Sequence, residues 1–252
     1  MFDPALDWPE TQTKKRYVVL SAPRTGSTML CSALTASKRA GVPMEYLNPR
    51  RIELYRQLNG PVSLDRIWND FLSRRTTPNG CFGLKLHAGQ YRAAFSQSNA
   101  LGRGLDFLNS FDRSILCSRR DKVGQAISNI LARERGQWTV AASDSVRFDS
   151  REFRADDYDR IEREIRSLEK TERFWRKKSK KLNHQTLEIE YEDLAKSPED
   201  TIMNVFDFLG VDVSDDELPL PTTQKLPDAA NRNMRDGYYS MLKSRGSQAM
   251  TR

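Results

Sequence analysis

The chain has 252 residues, of which 38% are hydrophobic and 30% are charged, and its formal net charge is +7. This is a globular composition on the polar side, and no apolar run approaches the roughly 20 residues of a membrane helix, which argues against a membrane-spanning protein. The positive charge favours an anionic ligand, a nucleic acid or an anionic membrane surface as a partner.

The few cysteines and histidines argue against a metal site and against a disulfide framework. Cys31, Cys81 and Cys117 are far apart and lack CxxC spacing, and the chain has only two histidines. We therefore expect buried, reduced thiols and no bound metal. The first residues lack the basic start and apolar stretch of a signal peptide, so we expect a cytoplasmic protein.

In chain order, the pattern predicts a single domain over residues 1–252. Residues 1–15 form a loose polar arm, residues 135–157 are polar and long enough to act as a lid, and residues 219–252 form a loop-rich tail. Buried strands are predicted near residues 17–22, 81–87, 113–118 and 186–191. Amphipathic helices alternate with these strands, which predicts an α/β fold with a central, mainly parallel sheet flanked by helices.

The most informative segment is the first strand and the loop after it. Residues 17–30 read as a buried strand, a short loop with several hydroxyl side chains, and a helix start. This arrangement presents backbone N–H groups and a helix N-terminus to an anion, and Arg24 adds a fixed positive charge. The loop has only Gly26 where an NTPase loop has two glycines followed by lysine, so a metal–triphosphate site is disfavoured.

Cations follow three of the predicted strands. Arg24, residues 85–87 and residues 119–120 each lie at or just after the end of a strand. In a parallel sheet the carboxyl ends of the strands share one rim, where ligands bind. The convergence of these cations predicts an anion site at that rim.

The chain resembles the sulfotransferases that use 3′-phosphoadenylyl sulfate (PAPS) in four features that occur in order. The first is a strand followed by Ser-Ala-Pro-Arg-Thr-Gly-Ser-Thr at residues 21–28, and the second is Arg120 followed eight residues later by Ser128. The third is Tyr-Glu-Asp-Leu at residues 191–194 with Ser-Pro-Glu and a helix ending at Gly210 after it. The fourth is overall length, and the resemblance implies a P-loop-like sulfotransferase fold.

Within that superfamily, the chain is similar to the bacterial trehalose 2-sulfotransferase group. Gly-Val-Pro-Met-Glu-Tyr at residues 41–46 resembles the group's Gly-x-Pro-x-Glu-aromatic element, and residues 119–128 resemble its 3′-phosphate helix. The Gln137-Trp138 pair and the helix that begins near Tyr158 also fit.

The resemblance implies a site for the donor PAPS, with adenosine 3′,5′-bisphosphate as its product and no metal. The residues implied for the 5′-phosphosulfate are Pro23, Arg24, Thr25, Gly26, Ser27 and Thr28. Arg120 and Ser128 are implied for the 3′-phosphate, because guanidinium and hydroxyl groups both suit phosphate.

Two residues compete for the role of general base, with Arg24 as the third catalytic residue. Glu45 matches the residue that the resemblance to the trehalose group implies. His87 ends a strand, much as the base histidine does in the cytosolic animal-type sulfotransferases, and histidine titrates near neutrality. Both residues stay candidates.

The resemblance further implies a carbohydrate or glycolipid acceptor, such as a trehalose-like sugar or a lipopolysaccharide glycan, contacted by Glu45, Tyr46 and Trp138. It implies a homodimer and no nucleic-acid partner, while the basic surface is compatible with peripheral contact with a membrane. Two other interpretations stay open: a nucleotide kinase or other P-loop-like NTPase, and a non-enzymatic protein that binds anionic surfaces.

Overall fold

A computed structural model describes residues 3–95, 104–138, 151–213 and 229–250 of the chain. Within these ranges the centre is a parallel sheet of four strands, β1 (Lys15–Ser21), β2 (Cys81–His87), β3 (Arg113–Ser118) and β4 (Thr186–Glu190). Their order across the sheet is β2-β1-β3-β4. The predicted α/β class and its four strands are confirmed.

The register of the strands brings their carboxyl ends to one rim. Ser21 at the end of β1 lies opposite His87 of β2 and Cys117 of β3. Ser118 at the end of β3 lies opposite Glu190 of β4. The loops that follow β1, β2 and β3 therefore start side by side, as the sequence predicted.

Helices connect and cover the strands, and none of the described helices is long and apolar enough to cross a membrane. They are α1 (Ser27–Ala36), α2 (Pro49–Asn59), α3 (Leu64–Arg75), α4 (Ala88–Phe95), α5 (Gly104–Asn109), α6 (Lys122–Arg135), α7 (Ala155–Ser179), α8 (Tyr191–Lys196), α9 (Pro198–Leu209) and α10 (Ala229–Met250).

Both faces of the sheet are buried, because successive side chains of a strand point to opposite sides. On one side Val18 and Leu20 pack with side chains of α2, α3, α4, α5 and α7. On the other side Tyr17 and Val19 pack with side chains of α1, α8 and α9. A third cluster joins α6, α7 and α10. Burial on both faces explains why β1 and β3 read as apolar runs, whereas the edge strand β4 alternates polar and apolar residues and has only Ile189 buried.

The arm at the N-terminus is tied to the domain more closely than the sequence indicated. A 3-10 turn covers Pro4–Leu6, and the Trp8 backbone N–H donates to the Arg74 carbonyl at 2.8 Å. Asp7 also pairs with Arg75, a buried arginine at the end of α3, at 3.1 Å. The arm is therefore anchored by polar contacts.

The predicted lid over residues 135–157 falls largely on residues 139–150, which lie outside the described residues. Residues 155–157 already belong to α7. Just before α7, Arg151 pairs with the fully buried carboxylate of Asp157 at 2.7 Å. That carboxylate also accepts the Arg154 backbone N–H at 2.8 Å and so caps the first turn of α7.

The tail corrects the sequence prediction of a loop-rich end, because residues 229–250 form one long helix. Its buried side chains Ala230, Met234 and Tyr238 recur every four residues and pack with α6 and α7. Tyr238 stacks on Tyr158 at a ring distance of 5.2 Å, and its hydroxyl donates to Glu162 at 2.6 Å. Met241 also packs against this cluster. The apolar residues of α10 are few among polar ones, which is why the sequence did not predict a long helix.

Two glycines inside helices should respond in opposite ways to replacement by alanine. In α10, the Cβ atom of a Gly237→Ala variant would overlap the Phe153 ring, whereas around Gly89 in α4 the space is open. We expect Gly237→Ala to cost about 1–3 kcal/mol through overpacking, and Gly89→Ala to gain up to about 1 kcal/mol through helix propensity. Thermal melting checks both, and a Gly237→Ala variant as stable as Gly89→Ala would contradict the packing of α10.

Candidate active site

The loop after β1 turns sharply before α1 begins. Arg24 has φ +62° and Gly26 has φ +75°, both in the left-handed region. Thr25 is buried, and its hydroxyl donates to the Ala22 carbonyl at 3.0 Å, which stabilises the turn. α1 begins at Ser27, and its first N–H groups have no carbonyl partner within the helix. The loop thus ends in a helix N-terminus, where an anion is favoured.

Gly26 is needed here both for its backbone angles and for space. A Cβ atom at this position would lie 2.9 Å from Tyr191 Cδ2 and 3.3 Å from Leu194 Cδ2. The segment Tyr-Glu-Asp-Leu at residues 191–194, which follows β4, therefore packs directly against the loop. Glu192 extends this contact to the end of β3, where its carboxylate accepts the backbone N–H groups of Arg120 and Asp121 at 3.1 and 3.0 Å.

Arg24 contacts α6 and the segment that follows it. Its Nε donates to the Ser128 hydroxyl at 2.9 Å, and its Nη1 donates to the Trp138 carbonyl at 2.5 Å. Burial and the nearby charge of Arg119 lower the pKa of Arg24 from its ordinary value. Both effects disfavour the charged guanidinium in this place, so a bound anion would stabilise it.

Glu45 reaches the rim because the segment before α2 runs beside β2. Met44 pairs with Leu84 in an isolated parallel bridge, and the Lys85 N–H donates to the Met44 carbonyl at 3.0 Å. Glu45 therefore lies next to the side chains of Lys85 and His87. These two residues share a face of β2, since they are two positions apart.

The Glu45 carboxylate accepts four donors. Oε1 lies 3.1 Å from Lys85 Nζ and 3.3 Å from His87 Nε2. Oε2 accepts from Asn48 Nδ2 at 3.1 Å and from Gln90 Nε2 at 2.6 Å. Burial alone would raise the pKa of Glu45, but the His87 hydrogen bond and the Lys85 charge outweigh it, so the pKa lies well below its usual range. Glu45 is therefore ionised at neutral pH.

His87 is held between β1 and Glu45. Its Nδ1 lies 3.0 Å from the Ser21 hydroxyl and 3.1 Å from the Ser21 carbonyl, while Nε2 faces Glu45. The indole of Trp175 donates to the same Ser21 carbonyl at 3.0 Å. Both ring nitrogens of His87 are thus occupied by protein atoms.

Lys85 connects the carboxylate cluster to the loop after β1. Its Nζ donates to the Thr28 hydroxyl in the first turn of α1 at 2.7 Å, and the same atom pairs with Glu45. The side chain is buried, so its charge acts in a medium of low polarity. The cationic loop and the candidate base Glu45 are therefore contiguous, with Lys85 in contact with both.

The two arginines after β3 point in different directions. Arg119 is buried, its Nη1 donates to the Arg24 carbonyl at 3.3 Å, and its guanidinium lies 4.4 Å from the Tyr191 ring centroid. Arg120 is exposed and contacts the carboxylates at the end of β4, including Asp193 at 2.9 Å. The structure does not bring the predicted pair of Arg120 and Ser128 together, and Arg24 contacts Ser128 instead. A phosphate-binding role for Arg120 stays a prediction.

Tyr46 and Trp138 were predicted to contact the acceptor, and for Tyr46 the structure contradicts this prediction. Tyr46 is fully buried, its ring stacks on Phe71 at 4.7 Å, and its hydroxyl donates to the Val42 carbonyl. It packs in the core because it follows Glu45 directly and faces the opposite way. Trp138 is exposed, and its backbone carbonyl contacts Arg24. It thus stays a candidate at the rim.

The sequence placed Lys85 among the cations of the rim, but it did not predict that Lys85, Asn48 and Gln90 contact Glu45. The position of Lys85 in the sequence indicated its place, since it lies two residues before His87 on β2 and so shares a face with it. No sequence signal pointed to the two amides as partners of Glu45. Asn48 caps α2 through its bond with a backbone N–H, and Gln90 lies in the first turn of α4. Among the described residues, no group of three or more His, Cys, Asp or Glu is arranged to hold a metal ion.

The protein is of the α/β class, with a polar site at the carboxyl ends of its parallel strands. At this rim a cationic loop lies beside an ionised carboxylate. The chain belongs to the Stf0 sulphotransferase family, whose model matches residues 16–240. The predicted sulfotransferase superfamily is thereby confirmed, and membership indicates an enzyme that transfers a sulfuryl group. The match runs from β1 into α10 and so includes every loop of the rim.

A trehalose 2-sulfotransferase of Mycolicibacterium smegmatis is 27% identical over an alignment of 229 residues, and the match covers 78% of this chain and 84% of that protein. Among solved structures, the sulfotransferase domain from the curacin biosynthetic pathway is similar with a TM-score of 0.52 and 14% identity, covering 88% of this chain and 83% of that one. The sulfotransferase domain of the Synechococcus PCC 7002 olefin synthase gives a TM-score of 0.48 and 15% identity, covering 93% and 97%. The curacin likeness supports the fold.

Proposed function

We propose that this enzyme transfers a sulfuryl group from PAPS to a hydroxyl group of a carbohydrate. The observation that carries the proposal is the contact of Lys85 Nζ with Thr28 Oγ1 at 2.7 Å, which joins the Arg24 loop to the Glu45 carboxylate. Sulfuryl transfer needs these two features side by side. A base must take the proton of the acceptor hydroxyl, and cations must stabilise the charge that develops on the donor.

The residues of the rim fit the anionic groups of such a donor. The first N–H groups of α1 are free of partners within the helix, and Arg24 stands beside them. In the described residues the buried Nε of Arg119 has no hydrogen-bond partner, which is a donor available to an anion. In this proposal residues 23–28 hold the 5′-phosphosulfate. Ser128 and Arg120 hold the 3′-phosphate, which requires Arg120 to leave its carboxylates.

PAPS supplies a sulfuryl group that is activated by its bond to phosphate. The acceptor oxygen bonds to sulfur while the sulfur–oxygen bond to that phosphate breaks, and the proton of the acceptor passes to Glu45. Glu45 is favoured over His87 as base because it lies in the segment at residues 41–46 that resembles the trehalose group. Against the effect of burial, the His87 hydrogen bond and the Lys85 charge lower the pKa of Glu45 and so weaken it as a base, and a contact of Lys85 with the donor instead of Glu45 would restore its basicity. Arg24 and Lys85 would neutralise the leaving phosphate.

A carbohydrate acceptor is supported by the relative named trehalose 2-sulfotransferase. At 27% identity the particular sugar need not be shared, and glycolipids or lipopolysaccharide glycans stay alternatives. The exposed Trp138 ring, next to Arg24, offers a surface for a sugar, because aromatic faces combine apolar area with a rigid shape. Tyr46 is not part of this proposal, since its ring is in the core.

Thermal melting with adenosine 3′,5′-bisphosphate tests the donor site without knowledge of the acceptor. At a concentration 100 times its Kd, a ligand stabilises the folded state by about 2.7 kcal/mol, which for a chain of this size corresponds to roughly 5–10 °C. We expect this shift with adenosine 3′,5′-bisphosphate and a much smaller one with AMP or with ATP and magnesium. An equal or larger shift with ATP would instead favour an NTPase.

A further inference from the structure

Gln90 is a buried amide with both ends of its side chain engaged at the rim. Its Oε1 accepts the His87 backbone N–H at 3.1 Å, and its Nε2 donates to Glu45 Oε2 at 2.6 Å. The backbone N–H can only donate, so the orientation of the amide is fixed, with the NH₂ group toward Glu45. Gln90 thus spans both candidate bases.

The donors around Glu45 are divided between its two oxygens. Oε2 is held by two neutral amides, from Gln90 and Asn48, while Oε1 faces the two groups that can carry positive charge, Lys85 and His87. The Asn48 amide is also fixed, because its Oδ1 accepts the Arg50 N–H at 3.1 Å. Neutral amides cannot take up or release a proton at ordinary pH, so they orient Oε2 without adding charge.

We propose that Gln90 is a positioning residue for the Glu45 carboxylate, holding Oε2 in place so that Oε1 is presented to Lys85, His87 and the acceptor hydroxyl. This inference rests on the proposed function, in which Glu45 accepts the proton. An amide is required at this position: a carboxylate would repel Glu45, and an apolar side chain would leave Oε2 with Asn48 alone.

A Gln90→Glu variant tests whether the side chain of residue 90 lies against the Glu45 carboxylate, and it needs no measurement of enzyme activity. It can still accept the His87 N–H, but it sets a second carboxyl against Glu45, and two such carboxyls share a proton, which raises the pKa of one of them. A raised carboxyl pKa destabilises the folded state at neutral pH, and this loss disappears as the pH falls. The other titratable groups near Glu45 are Lys85 and His87, which contact it, and the Cys31 thiol of α1. Burial raises the pKa of Cys31, and the charge of Glu45 adds to this effect.

We expect the melting temperature of Gln90→Glu to lie several degrees below that of the wild type at pH 8 and to approach it at pH 5. The matched control is Gln57→Glu, which sets a carboxyl against Glu53 on the exposed face of α2. The control should show a far smaller dependence on pH. A difference between Gln90→Glu and wild type that is the same at every pH would overturn the proposal.

The positioning role is tested by kcat with PAPS and a sugar acceptor over the same pH range. We expect Gln90→Glu to lose at least about tenfold in kcat at pH 8, with KM for PAPS within about twofold, and to recover relative to wild type as the new carboxyl is protonated. Gln90→Leu should lose activity equally at every pH. Wild-type kcat in both variants would overturn the role of Gln90, while a wild type that fails to bind adenosine 3′,5′-bisphosphate would instead overturn the proposed function.

Discussion

Replacing Glu45 with glutamine is expected to lower kcat by about 10²- to 10⁴-fold, the range typical of a lost general base, while donor binding changes by about twofold or less. The variant keeps the shape of the side chain but removes the negative charge that faces Lys85 and His87. Transfer of labelled sulfate from PAPS to a panel of sugars that includes trehalose measures the effect.

The controls for this experiment separate chemistry from folding. Glu45→Gln leaves the buried Lys85 without its carboxylate, which is destabilising, so the melting shift with adenosine 3′,5′-bisphosphate must show that the donor site persists. Glu53→Gln makes the same change on the exposed face of α2 and should leave kcat unchanged. If His87→Ala loses more than Glu45→Gln, His87 is the base, and if neither loses more than about tenfold, neither is.

Replacing Arg24 with alanine should weaken the binding of adenosine 3′,5′-bisphosphate by about 10- to 100-fold. Hydrogen bonds to charged groups contribute about 1.5–3 kcal/mol each, and this guanidinium is the cation of the loop itself. Isothermal titration at fixed ionic strength is the measurement, because phosphate contacts weaken with salt.

Arg173→Ala is the matched control for Arg24→Ala, since it removes one arginine from the exposed face of α7, where Arg173 pairs with Glu169 at 3.5 Å. It should leave binding within about twofold. Arg120→Ala, measured in the same titration, tests whether Arg120 also contacts the donor. A loss larger than that of Arg24→Ala would mean that Arg120 releases its carboxylates when the donor binds, and it would contradict Arg24 as the main cation of the site.

The sequence predicted those parts of the fold that depend on local pattern. The central strands are apolar runs, β4 alternates polar and apolar residues, and Pro198 and Gly210 mark the two ends of α9. The length of α10 was not predicted because its burial depends on tertiary contacts, in which Ala230, Met234, Tyr238 and Met241 pack with α6 and α7. Tertiary packing rather than propensity stabilises such a helix.

The sequence predicted that the loop at residues 21–28 and His87 lie at one rim, because strand ends carry that information. The catalytic roles of Glu45 and His87 stay predictions. The sequence could not give the amide partners of Glu45, which come from the cap of α2 and the first turn of α4. It also could not choose between Arg119 and Arg120. Their directions depend on Glu190 and Asp193, some seventy residues further along the chain, and on Tyr191, which lies under Arg119.

The contact of Gly26 with Tyr191 and Leu194 has a consequence for the order in which the site forms during synthesis. The loop is made near the beginning of the chain, but the side chains that support it emerge from the ribosome only after more than 160 further residues. A nascent chain that ends before β4 has the glycine, the arginine and the candidate bases, yet lacks the surface on which the loop rests. Competence to bind the donor should therefore arise only after the segment at residues 191–194 has been synthesised.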